Sequence, residues 1–152
     1  TEPTSTVFTV KKDGSYDETN GSGINYVAYC FSERPGFSKM SEYTGNGSSD
    51  GTFVYTGFKP AFVMNKKTDG TMDWHIWDNK RNPFNVINTL LYPNLSNAAD
   101  TLTSLDFVSN GFKIRDSRNF INANGSPYVY MAFAENPFVT STGNGSIPGT
   151  AR

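Results

Sequence analysis

The chain has 152 residues, 13 Lys and Arg against 14 Asp and Glu, one His, one Cys and 14 % aromatic residues. A formal net charge of −1 gives no general attraction for nucleic acid or anionic lipid, one Cys makes no intrachain disulfide, and one His with one Cys builds no tetrahedral zinc site. The opening TEPTSTVFTV lacks the charged start and apolar core of a signal peptide, and no stretch approaches the ~18 apolar residues that span a membrane.

Gly, Pro, Asn, Ser and Thr punctuate the chain at short intervals, with aromatic and β-branched residues between them, a composition that favours strands. In chain order the pattern predicts strands over residues 6–10, 26–31, 53–55, 61–64, 74–77, 105–108, 112–114 and 128–133. Residues 53–64 read as two mostly core strands joined at Gly57. Thr68-Asp69-Gly70-Thr71 is a hairpin sequence between apolar runs, and Asn110-Gly111 is a second. Helix is confined to a turn or two at 85–91 and 97–102, because Pro93 breaks the one stretch that allows it. The expected fold is all-β, an antiparallel β-sandwich of jelly-roll-like character with long polar loops and little helix.

One decapeptide occurs twice. Tyr26-Val27-Ala28-Tyr29-Cys30-Phe31-Ser32-Glu33-Arg34-Pro35 matches Tyr128-Val129-Tyr130-Met131-Ala132-Phe133-Ala134-Glu135-Asn136-Pro137 at an offset of 102, with Tyr, Val, Phe, Glu and Pro in common. Asn20-Gly21-Ser22-Gly23 and Asn122-Ala123-Asn124-Gly125 precede the two copies, and Val7-Phe8-Thr9-Val10 answers to Gly111-Phe112-Lys113-Ile114. Thr44-Gly45-Asn46-Gly47-Ser48 returns as Thr142-Gly143-Asn144-Gly145-Ser146. This order predicts that residues 1–23 are the end of a preceding module, 24–140 one β-sandwich domain and 141–152 a C-terminal tail. The copied strands are expected in equivalent or adjacent places of one sandwich. Being apolar on both faces, strand 26–31 is expected to be central, with Cys30 a core thiol.

Several segments together resemble a module that recurs in bacteriophage tail-fibre and virion-associated surface proteins. They are Gly36-Phe37-Ser38-Lys39, Tyr43-Thr44-Gly45-Asn46-Gly47, residues 56–64 from Thr56-Gly57-Phe58, Trp74-His75-Ile76-Trp77-Asp78-Asn79-Lys80-Arg81-Asn82-Pro83, residues 106–113, 128–138 and the closing 140–152. The resemblance covers almost the whole chain from Val7 onward, whereas residues 1–23 depart from it and read as part of a longer fibre. It implies a virion location, at a fibre tip or as a surface decoration, with other virion proteins as partners. It also implies a homo-oligomer, a trimer by family expectation. It carries a location more than a chemistry.

Residues that bear chemistry are few. His75 is flanked by Asp73 and Asp78, without a Gly-x-Ser-x-Gly elbow, so nucleophilic catalysis has no constellation. Glycan hydrolysis needs only two carboxylates, and repeat symmetry pairs Glu33 with Glu135. Asp13-Gly14 and Asp69-Gly70 are turn chemistry, and no metal or cofactor is expected. Lys66-Lys67 and Lys80-Arg81 are short basic pairs, not a nucleic-acid surface, and no amphipathic helix points to membrane insertion.

Residues 72–84 concentrate the types that hold sugars: aromatic rings for apolar C–H faces, and Asn, Arg and His for hydroxyls. Alternation puts Trp74, Ile76 and Asp78 on one strand face and His75 and Trp77 on the other. One arrangement buries Trp74 with Ile76 and exposes Trp77 and His75 beside Asn79, Arg81 and Asn82, which then form the ligand-binding set. The other places both Trp residues in the core. Asp78 and Arg81 are expected to pair and fix the turn before Pro83. The expected function is non-catalytic adhesion to host-surface glycan or envelope, with loops 45–51, 82–97 and 115–124 presenting the contacts and multiple copies giving avidity. Two alternatives stand beside it: a structural decoration protein packed on other virion proteins, and a glycan depolymerase.

Overall fold

A computed structural model of the chain describes residues 4, 6–10 and 20–137. Contacts divide the chain into two units, Thr1–Phe31 and Ser32–Arg152. In the first, residues 6–10 and 24–31 form no strand, and Cys30 is exposed rather than a core thiol. A strand apolar on both faces needs neighbours on either side, and the described residues of this unit supply none. The first of these units runs to Phe31, and the first copied strand belongs to it. The expected tail, 141–152, is outside the described residues.

The second unit is an all-β antiparallel sandwich. Its strands are β1 (Ser38–Thr44), β2 (Phe53–Tyr55), β3 (Pro60–Lys67), β4 (His75–Asp78), β5 (Ile87–Leu90), β6 (Asp100–Val108), β7 (Gly111–Ile114) and β8 (Pro127–Ala134). One short helix, α1 (Asn119–Asn122), precedes β8. The first sheet has the order β1-β8-β3-β4 and the second β2-β7-β6-β5. The jelly-roll-like character lies in the nested pairing of strands distant in the chain, edge strand β1 with β8 in one layer and edge strand β2 with β7 in the other. The segments expected to hold helical turns are instead β5 and the start of β6, whose Thr89 and Thr101 are paired across the hairpin.

Alternation decides which side chains meet between the layers. β8 buries Tyr128, Tyr130 and Ala132 and leaves Val129, Met131 and Phe133 on the other face. The first sheet adds Tyr43, Val63 and Trp77 to the core, and the second adds Val54, Ile87, Leu105, Phe107, Phe112 and Ile114. Tyr43 stacks on Tyr128 with centroids 4.9 Å apart and meets Phe112 edge-on at 6.1 Å. Its hydroxyl donates to the Ile121 carbonyl at 2.8 Å and accepts from the Asn65 amide at 2.9 Å, so this buried oxygen is satisfied.

Three local devices set the ends of the sandwich. Loop 45–51 is held by the buried Asn122, whose amide donates to the Asn46 side chain and to the Ser48 and Asp116 carbonyls and whose oxygen accepts from the Asn46 N–H. In the β6–β7 hairpin Val108 faces Gly111, so the turn residues are Ser109 and Asn110. Gly111 is thus a strand residue, and a Cβ there would stand 2.1 Å from the Val54 carbonyl oxygen of β2. Finally, Ile76 and Leu91 exchange backbone bonds of 2.9 and 3.0 Å, which tie β4 to the chain just past β5 and close one side of the sandwich.

Candidate functional site

The tryptophan-rich strand does not form the expected surface. β4 pairs with β3, Asn65 facing His75 and Val63 facing Trp77, and this row points between the sheets. Trp77 is completely buried and His75 nearly so, while Trp74 and Ile76 are the half-buried pair. The split that exposed Trp77 with His75 is therefore inverted. His75 lies among Phe120 at 4.8 Å, Tyr92 at 5.2 Å and Trp77 at 5.9 Å. Loss of water around the ring pushes its pKa down to about 4, against the pull of Asp73 and with the help of Lys66. The ring is neutral at pH 7 and packed among these aromatic side chains.

The other three residues of that set serve local structure. Arg81 pairs with Asp78 through Nη2 and Nε at 2.5 and 2.7 Å, and Asp78 also accepts the Lys80 and Arg81 N–H groups, which is the expected turn-fixing pair. Asn82 donates to Asn88 at 2.9 Å and accepts from the Thr89 N–H at 2.8 Å. Asn79 alone leads to a surface site, because its amide donates to Glu135 Oε1 at 2.7 Å.

Glu135 lines a groove of about 660 Å³ at the end of the module where β1 begins and β8 ends. Its opposite charge partner is Lys59, at 2.7 Å. Glu33 lines the same groove, paired with Lys39 at 3.0 Å and accepting the Met40 N–H at 3.2 Å. The two glutamates singled out by the repeat are thus brought to one site. Beside them is the Tyr55 ring, 64 % exposed at the end of β2. The turn after it is fixed by Thr56 and Gly57, whose N–H groups both donate to the Asn110 carbonyl at 3.0 and 3.2 Å. Gly57 sits at φ +83°, a conformation that selects glycine, and a Cβ there would touch the Tyr55 hydroxyl at 3.7 Å. Lys59 beside it, with the Asn79 hydrogen bond, holds the Glu135 carboxyl below its usual range, so it is ionised at neutral pH.

The sequence carried part of this site. Repeat symmetry flagged Glu33 and Glu135, but Tyr55 reads as core in a run of apolar residues and is exposed because β2 points Val54 inward. Among the described residues no cluster of three His, Cys, Asp or Glu side chains is arranged to hold a metal, and no helix is long and apolar enough to cross a membrane.

A family model described as a domain of unknown function (DUF7483) matches residues 1–137. No curated protein and no solved structure matches the chain.

Proposed function

The chain belongs to the DUF7483 family, and from the groove just described we propose that it is a non-catalytic carbohydrate-binding module used for adhesion of a phage virion to host-surface glycan. The observation that carries this reading is the exposed Tyr55 ring beside two carboxylate–ammonium pairs. A pyranose offers an apolar C–H face and neighbouring hydroxyls that both donate and accept. The ring takes the first, and the Glu33–Lys39 and Glu135–Lys59 pairs take the second without a net charge to select ionic ligands. The virion setting comes from the tail-fibre resemblance of segments such as 36–39 and 74–83. Weak single-site affinity is compatible with adhesion, because copies on one particle bind intramolecularly after the first contact.

Two other readings have one observation each. Glu33 and Glu135 share a groove, as a hydrolase would need, and the lowered Glu135 pKa fits the ionised nucleophile or base of such a pair, not its acid. The outer face of the first sheet carries an apolar row, Met40, Met131, Met64 and Ile76 in register, which favours packing on another protein.

The test is binding of the labelled chain, arrayed on beads, to intact bacteria and to their extracted glycans, with released reducing sugar measured in the same samples. Saturable binding competed by glycan, and reduced roughly 10-fold by Tyr55→Ala but not by Phe84→Ala, is expected. No saturable binding, or binding indifferent to Tyr55→Ala, overturns the proposal; sugar release replaces it with hydrolysis.

A further inference from the structure

We propose that residues 26–31 are the closing strand of a second sandwich of this same fold, occupying there the place that β8 occupies here. The proposal is independent of the groove and of its ligand. Its first support is the decapeptide repeat; its second is structural. The corner that launches β8 is a tyrosine clasp: the Tyr128 hydroxyl accepts the Ala123 N–H at 2.8 Å, Ser126 N–H donates to Ala123 O at 3.2 Å, and Gly125 sits at φ +74°. The same clasp is built before residue 26. The Tyr26 hydroxyl accepts the Gly21 N–H at 2.8 Å, Ile24 N–H donates to Gly21 O at 3.4 Å, and Gly23 sits at φ +74°. Asn20 and Asn122, equivalent in the repeat, each donate a side-chain amide to a carbonyl of the preceding segment, Val10 and Asp116 respectively.

The clasp is preserved where the strand it launches is not. Tyr128, Tyr130 and Ala132 of β8 are buried, whereas Ala28 and Cys30, the counterparts of the last two, are exposed. On the other face Val27 and Tyr29 are exposed at 80 % and 83 %. β8 itself lies between β1 and β3 with long ladders on both sides. A copy with the same launch and the same apolar faces fits a channel between a β1-like and a β3-like strand, and Cys30 then takes the fully buried position of Ala132, which a small thiol fills. The occupant of the exposed faces is therefore an open sandwich carrying equivalents of β1 to β6, supplied by polypeptide outside residues 32–137. Residues 7–10 stand for β7.

The test fuses a second copy of residues 32–110 directly to residue 7, in place of residues 1–6, so that 7–31 follow it as 111–133 follow the first. Thiol-reagent labelling of Cys30 is expected to slow roughly 100-fold relative to the chain alone, with matching protection of the 26–31 amides from hydrogen exchange. Ala28→Asp, which puts a charge at the Tyr130 position, is expected to restore fast labelling. Equal Cys30 reactivity with and without the added copy overturns the proposal, and so does protection that survives Ala28→Asp.

Discussion

Replacing His75 by Phe is expected to remove most of the pH dependence of stability between pH 6.5 and about 5. The folded imidazole is held neutral down to about 4, mainly by desolvation, while in the unfolded chain it protonates near the ordinary 6.5. Because the folded pKa is the lower one, the unfolded state binds more protons across this window. Stability is therefore complete above 6.5 and lost as pH falls toward 4. The loss runs at up to ~1.4 kcal/mol per pH unit, and with partial solvent screening totals about 2 kcal/mol, or roughly 8 °C in Tm. Phe keeps the ring contacts to Phe120, Tyr92 and Trp77 and deletes Nδ1, which has no hydrogen-bond partner among the described residues. Asp50, Asp69, Asp78 and Glu135 have lowered pKa values, so their contributions persist until the pH falls below their unfolded values near 4, and they do not mask the window. Urea titrations of both chains at stepped pH measure the slope. A wild-type stability flat across the window, or a slope that persists in His75→Phe, refutes the burial argument.

Trp77→Ala is expected to cost ~3–5 kcal/mol by urea titration, whereas Trp77→Phe costs much less, because the indole N–H has no partner to lose among the described residues. Gly111→Ala forces a Cβ onto the Val54 carbonyl and is expected to lower Tm and to speed hydrogen exchange selectively in β2 and β7. Asn122→Ala leaves the Asn46 N–H and the Ser48 and Asp116 carbonyls without their partner, a loss of about 3 kcal/mol with accelerated proteolysis in loop 45–51. Phe84→Ala, at a side chain 82 % exposed, is expected to stay within about 0.5 kcal/mol of wild type.

The sequence made the sandwich legible wherever a strand is apolar on its inner positions. β2, β3, β4, β6, β7 and β8 all contain or overlap the segments expected from alternation. β1 escaped because Ser-Lys-Met-Ser-Glu-Tyr-Thr is an edge strand with Ser38 and Tyr43 as its buried positions, and β5 because Ile-Asn-Thr-Leu is shorter than the polar run around it. Residues 26–31 erred in the other direction. Local pattern states that a segment suits a strand, while pairing depends on neighbours that pattern does not supply. The site was misplaced for a related reason. Alternation correctly put His75 and Trp77 on one face and Trp74 and Ile76 on the other, but the inward direction is set by which row of β3 faces the second sheet, a tertiary fact.

β1 starts where β8 stops. Ser38 faces Phe133, the Ala134 N–H donates to the Phe37 carbonyl at 2.9 Å, and the Glu135 N–H donates to Lys59 at the same distance. The polypeptide thus runs into and out of the sandwich at a single point, and a pull between Phe37 and Ala134 loads the β1–β8 bonds one after another, as in a zip, not all together in shear. Glu33, Lys39 and Glu135 lie at that point. Tension along the chain therefore distorts the groove by local peeling before it reaches the aromatic core, while the rest of the sandwich stays folded.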